Sequence, residues 1–413
     1  MEIMESLRRE FGFIKGNYAV LVTSWILIDF AAELPGTYYS LYVLGLGATE
    51  TVLGMIGLFQ FLALASMQFP GGYLADKFGR KWIISTMTFG VGLSYALFAI
   101  APSWHFILIG TVLMCLCNST YQPALMAMIA DSLPSERRGM GFGIVQLIAS
   151  ASTTPGPIVA GLLYAQFGLM DGMRIGYGIV IALFMAAAFL RLAKLEETVV
   201  SSEKPSLSDL IRSYPVALKE SFRVWKRVPR SMLYLFLSTA FITFGFSTVQ
   251  LFFVVYAVNV LLIDKAVWPM ILTALFVTMI ALAIPMGKLA DKTSRKLPVL
   301  AAYLLFGASM WLFLYGDLVK VFVSLILVGL GQTLMNTSFS ALQADLTPKE
   351  ERGKVIGFTN FMNFIVMAVG SMLGGIMYGN ISPQLPFYFA VVLVLPSFAL
   401  TLLLVQEPEK RQE

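Results

Sequence analysis

Gly72-Tyr73-Leu74-Ala75-Asp76-Lys77-Phe78-Gly79-Arg80-Lys81 is a short polar turn between two long apolar runs, and the chain contains it twice. Its echo, Gly287-Lys288-Leu289-Ala290-Asp291-Lys292-Thr293-Ser294-Arg295-Lys296, stands 215 positions later. Two further pairs keep nearly that spacing. Ala130-Asp131 with Arg137-Arg138-Gly139 returns as Ala344-Asp345 with Glu351-Arg352-Gly353, at an offset of 214. Gly156-Pro157 with Gly161 and Tyr164 returns as Gly370-Ser371 with Gly375 and Tyr378, again at 214. Matches that agree on one spacing mark a duplicated half.

The runs around these turns have membrane length. The chain is 58% hydrophobic and 13% charged, against about 25% charged in ordinary soluble domains. Apolar runs of ~18 residues or more without charge are read as spanning helices. About twelve are present, at 17–44, 49–74, 82–101, 105–130, 140–167, 173–193, 231–260, 266–287, 297–316, 319–344, 355–379 and 384–405. The expectation is an all-α membrane protein with two pseudo-symmetric six-helix bundles, residues 1–193 and 230–413, joined by a polar linker at 194–229. Within the linker, 207–228 mixes Leu210, Ile211, Leu218, Phe222 and Trp225 with bases. That pattern predicts an amphipathic helix lying on the membrane surface.

A formal net charge of +5 would suit nucleic acid, but the distribution excludes it. With both termini placed inside, 26 of the 29 basic residues fall on the inner side, nine of them in the central loop and its flanks. Arg174, Lys265 and Lys320 are left outside. Lys and Arg accumulate in cytoplasmic loops, so both termini are expected in the cytoplasm. Residues 1–16 carry both signs of charge and no small-residue cleavage site, so they do not read as a removable signal peptide.

The first span holds the main anomaly, Asp29 and Glu33, four apart and therefore on one helical face. At 1.5 Å per residue Asp29 lies about 18 Å in from Asn17, near the bilayer midplane. An acid there costs at least ~2.5 kcal/mol and normally faces a cavity or a partner. No basic residue is expected at that depth, which leaves protonation as the way to lower the cost. Both acids are therefore candidate proton-coupling groups. At offset 214 they fall on Thr243 and Ser247, so the fold repeats and the charges do not. Pro35 and Gly36 should bend the helix just beyond them.

The repeated Gly-x-Leu-Ala-Asp-x-x-Gly-Arg-Lys turn, between the second and third spans and again between the eighth and ninth, resembles the major facilitator superfamily of secondary transporters. The resemblance covers nearly the whole chain; the second copy is degenerate, with Ser294 in the place of Gly79. It implies two bundles rocking about a central cavity and a conformational role for Gly72, Asp76, Gly79, Arg80, Lys81, Asp291 and Arg295. Arg138 and Arg352 of the second repeated pair are assigned to the same gate. Asp76 is expected to cap the following helix or pair with Arg80 or a neighbouring base. Gly156, Pro157 and Gly161 of the fifth span resemble a Gly-Pro-x-x-Gly-Gly stretch of drug/proton antiporters, with Ala160 replacing one glycine. The fourth span lacks the buried arginine that some of those exporters carry.

Amides and hydroxyls supply the remaining candidates. Asn118 and Gln122, and their repeats Gln332 and Asn336, each place two amides on one face. They serve either to bond the helices together or to recognise substrate. Gln146 and Asn360, Thr243 and Ser247, and Tyr38 are further cavity candidates, with Thr239, Thr248, Gln250, Tyr39, Tyr42 and Tyr256 nearby in sequence. Cys115 and Cys117 read as apolar packing, and neither they nor His105 form a metal set. Gly139-Met140-Gly141-Phe142-Gly143 has no strand before it, which excludes a dinucleotide site, and no phosphate-binding loop points to an ATP-driven pump.

The sequence thus predicts no enzyme and no cofactor beyond a proton gradient. It predicts a monomeric multi-pass transporter in a prokaryotic plasma membrane, with a small molecule, protons and lipid as partners. Export of a small organic or amphiphilic compound in exchange for protons is the leading expectation. Proton-coupled uptake of a neutral metabolite such as a sugar competes with it, and a non-transporting sensor is the distant third. The expected absence of intramembrane Arg or Lys argues against a strongly anionic substrate.

Overall fold

The computed structural model describes residues 12–134, 137–199, 228–292 and 294–407, together with Pro215, Lys219, Arg223 and Trp225. The first half contributes α1 (Gly16–Gly36), α2 (Tyr39–Gly45), α3 (Glu50–Met67), α4 (Pro70–Phe78), α5 (Arg80–Ala99), α6 (Trp104–Asp131), α7 (Arg138–Thr153) and α8 (Pro155–Lys194). The second contributes α9 (Arg230–Val249), α10 (Phe253–Asn259), α11 (Trp268–Lys292), α12 (Lys296–Leu314), α13 (Leu318–Asp345), α14 (Arg352–Asn380) and α15 (Leu385–Leu404).

Eleven described stretches are long and apolar enough to cross a membrane, against the twelve expected. The difference lies in Arg138–Lys194, a continuous run of 57 residues. Straight, it would extend about 85 Å, nearly three bilayer cores. It is not straight, because Gly168 adopts φ 73°, ψ −176°, a conformation open to glycine alone. The chain reverses there. A Cβ on Gly172 would stand 2.9 Å from the carbonyl oxygen of Leu163, nine residues earlier, which only a hairpin allows. The run therefore makes two crossings, and the break falls where the sequence placed it.

The repeat is visible in detail. Pro35 precedes a break in the first span, and the short helices α2 and α10 that follow stand at an offset of 214. Tyr42 and Tyr256 then donate to the carbonyls of Phe98 and Leu314, at 2.8 and 3.0 Å. Within the first half α1 packs on α7 and α8, and α5 on α6 and α8. Within the second α12 packs on α13 and α15, and α9 on α14 and α15.

Both halves begin and end at one face. Asn17 donates to the Glu196 carbonyl at 2.8 Å, and the Gln406 amide donates to Ser231 Oγ at 3.2 Å. That face also carries the repeated turns, here called the charged face. Arg80 pairs with Asp131 and Arg295 with Asp345. Arg138 and Arg352 each donate through Nε to a carbonyl, Ala130 and Ala344, at 3.2 Å.

Glu197 caps α5, accepting from the amides of Arg80 and Lys81 at 2.9 and 3.0 Å. Glu407 caps α12 in the same way, accepting from the Lys296 amide and from Ser294 Oγ. Free amides and the dipole at a helix start attract a carboxylate. Glu197 reaches α5 from the end of the sixth span. Gly72 and Asp76 fall in α4 and Asp291 in α11, where their side chains lie outside the described residues. Most of the expected amphipathic linker helix also lies outside them. Trp225, which is described, packs tilted against Phe236 and Phe358, with ring centroids 5.0 and 5.5 Å away.

The ties described between the halves gather at the opposite, far face. A Cβ on Gly54 of α3 would stand 2.7 Å from the Gly375 Cα of α14, so the two backbones touch. Thr51 donates to Asn380 Oδ1 at 3.2 Å, and Tyr38 to the Lys265 carbonyl at 2.7 Å. Phe69 and Phe361 also join the halves, at 5.4 Å between ring centroids, but nearer the charged face, since Phe69 directly precedes α4 and Phe361 lies in the first half of α14.

Candidate functional site: a charged chamber beside an aromatic cavity

Among the cavities that the described residues enclose, two carry the candidate polar side chains. The larger, about 430 Å³, is walled by both halves. Tyr39, Tyr95, Tyr177, Phe246 and Trp268 give it aromatic faces, and Gln60, Gln250 and Gln332 give it amides. No Asp, Glu, Lys or Arg among the described residues lines it. Aromatic walls with a few polar groups suit a small amphipathic ligand.

The smaller, about 160 Å³, lies wholly within the first half and is charged. Asp29 of α1, Asn118 and Gln122 of α6, and Arg191 of α8 line it. Asp29 Oδ2, Asn118 Oδ1 and Gln122 Oε1 are each buried with no hydrogen-bond partner in the protein.

Arg191 corrects two sequence expectations. It belongs to the nine bases assigned to the central loop and its flanks, yet it is 1% exposed. Its Nε donates to Ser24 Oγ at 2.8 Å and its Nη1 to Thr88 Oγ1 at 2.7 Å. Its guanidinium carbon lies 5.6 Å from the Tyr121 ring centroid, within cation–π range. Asp29 therefore does share its depth with a base, and the premise used against anionic substrates fails.

A signal for this pairing existed in the repeat. At offset 214 Asp29 becomes Thr243 and Arg191 becomes Val405, so both charges vanish together in the second half. There Ser238, the counterpart of Ser24, instead bonds Tyr303 and Thr401, at 3.2 and 2.8 Å.

Glu33 is separated from Asp29 by its surroundings. It lines neither cavity and faces α8, where a Cβ on Gly156 would stand 3.0 Å from Glu33 Cβ. Pro157 is buried beside it, and a Cβ on Gly161 would stand 2.9 Å from Pro269 of α11. The Gly-Pro stretch thus threads α8 between α1 and α11.

The other candidates divide. Asn118 and Gln122 meet in the chamber and Gln332 lines the central cavity, but Asn336, Gln146 and Asn360 are exposed and line neither. Thr243 lines neither cavity. Ser247 is turned to packing: its Oγ donates to the Phe244 carbonyl at 2.8 Å, against Gly370. Tyr38, expected in the cavity, is a tie between the halves, and its ring lies 5.3 Å from that of Tyr164. Gln60, not anticipated, stood out only as one amide between Phe59 and Phe61.

Known proteins agree with this architecture. An uncharacterized MFS-type transporter of Methanocaldococcus jannaschii is 23% identical over 344 residues, 82% of this chain and 84% of the relative. The multi-drug resistance efflux pump PmrA of Streptococcus pneumoniae is 23% identical over 325 residues, 77% of each chain. The crystal structure of a POT family transporter in complex with 5-aminolevulinic acid superposes with a TM-score of 0.76. At 13% identity, over 94% of this chain and 95% of that one, it shares the fold. The profile of the Major Facilitator Superfamily matches residues 21–264 and 235–413, and the chain belongs to that family of membrane transporters.

Proposed function

We propose that this transporter exports a small organic or amphiphilic compound in exchange for protons, by alternating access, with Asp29 as the proton carrier. The observation that carries the reading is the position of Asp29. Its carboxylate has an unpartnered oxygen in a charged chamber, next to a larger cavity with aromatic walls and no charge. A group that takes up and releases a proton needs a buried polar site of this kind. The likeness to PmrA, named as a multidrug efflux pump, supports the direction. The protein acts as a monomer in a prokaryotic plasma membrane with its charged face in the cytoplasm, and the proton gradient is its energy source. Glu33, packed against α8, holds helix geometry or relays charge to Asp29 rather than meeting substrate.

The test is transport in sealed proteoliposomes under an imposed pH gradient, with lipophilic cations and neutral metabolites as probes. Asp29→Asn is expected to abolish gradient-driven accumulation while exchange at equal pH persists. Accumulation that survives in Asp29→Asn and in Glu33→Gln would show that neither acid couples the proton.

A further inference from the structure

We propose that the chamber around Asp29 is a hydrated proton-binding compartment separate from the central cavity, in which water joins Arg191 to Asp29, Asn118 and Gln122. The inference rests on the reading of Asp29 as the proton carrier and adds where that proton sits relative to the substrate.

A count of donors and acceptors comes first. A guanidinium has five N–H donors, and Ser24 and Thr88 take one each. The remainder face Tyr121 and the chamber. Across the chamber stand three buried oxygens with no partner in the protein, on Asp29, Asn118 and Gln122. A buried acceptor left dry costs ~1–3 kcal/mol, so three dry acceptors opposite spare donors would be a large penalty. The volume of about 160 Å³ is ample for several waters, each of which takes ~30 Å³ in the liquid. Space, donors and acceptors all call for water.

The second argument is separation. Asp29, Asn118, Gln122 and Arg191 line the chamber and not the central cavity. Ala32, Tyr95 and Met114 line both and so form the wall between them. The groups facing Asp29 are Trp25 of α1, which donates to its carboxylate, Arg191 from α8, and Tyr121 and the two amides from α6, with Tyr95 of α5 in the wall and Glu33 one turn along α1. A ligand in the central cavity meets none of these charges directly. Proton and substrate then influence one another through the wall and the helices, not by competing for one volume. The guanidinium makes a metal cation a poor occupant, and the Asp29 carboxylate is the group in the chamber that can take a proton.

Radiolytic hydroxyl labelling of the native protein in nanodiscs tests this, because radicals form on water beside the labelled ring. Tyr121, 4% exposed, and Tyr303, 0% exposed, are the same residue type and need no reactivity correction. Tyr121 is expected to label about tenfold faster than Tyr303. Asn118→Leu with Gln122→Met, which removes two of the acceptors, should slow Tyr121 about threefold. Saturating ethidium should shield Tyr177 in the central cavity and leave Tyr121 unchanged. Tyr121 labelling no faster than Tyr303 would mean a dry chamber and overturn the proposal. Equal shielding of Tyr121 and Tyr177 would make the two cavities one site and overturn it as well. No shielding of Tyr177 would count against the proposed substrate class, while Tyr121 still decides the chamber.

Discussion

Arg191 carries a full charge into the first half, where Ser24, Thr88 and the Tyr121 ring receive it and Asp29 shares its chamber. Removing one member of a buried charge pair leaves the other uncompensated, typically at ~3–5 kcal/mol. Arg191→Met should therefore lower the apparent melting temperature in detergent sharply. Asp29→Asn added to Arg191→Met should recover part of the loss, since no lone carboxylate remains. A double variant no more stable than Arg191→Met alone would show that the two charges do not interact. The acid was legible in the sequence because it stood deep in an apolar run. The base was not, because arginines three residues from a helix end usually extend to the interface. Comparing the halves was the way to see it, since both charges are lost at the same offset.

At the scale of elements, the breaks in the helices are set by a few residues. Pro35, Pro70 and Gly168 stand where spans bend or reverse, and the first and last were legible as a Pro-Gly pair and as a gap between apolar runs. What the runs could not reveal was that α8 continues through the reversal with nearly unbroken helix on both sides. Gly168 holds a backbone conformation that side chains avoid, and forcing one there costs ~1–3 kcal/mol. Gly168→Val should reduce thermal stability by that order, whereas Gly178→Val, with helical backbone and open space around it, should not. Equal losses at the two sites would mean that packing, not the turn, governs the fifth and sixth spans. The caps from Glu197 and Glu407 escaped the sequence for a different reason: each comes from a chain segment more than a hundred residues away from the helix it caps.

At the scale of the molecule, the described ion pairs of the repeated turns lie within their own halves, whereas the glycine contacts join the halves at the far face. Each half is thereby tied together at its own turn, and the proposed alternating access would act at the contact between α3 and α14. Alternating access requires that contact to open. A Cβ on Gly379 would stand 3.0 Å from Thr51 Oγ1, one C–O bond short of the Thr51 Cβ, which allows the roughly 3.5–4.5 Å that disulfides need between Cβ atoms. In a background with Cys115 and Cys117 replaced by alanine, Thr51→Cys with Gly379→Cys should cross-link on oxidation. The linked protein should bind ligand but stop transporting, and reduction should restore the rate. Neither single variant should respond to oxidant. If the oxidised double variant transports at the native rate, the far ends of α3 and α14 never part in the cycle. The halves would then have to move by bending individual helices, with the breaks at Thr37 and Gln250 as the places to look, since these are where the first spans of the two halves already leave helical hydrogen bonding.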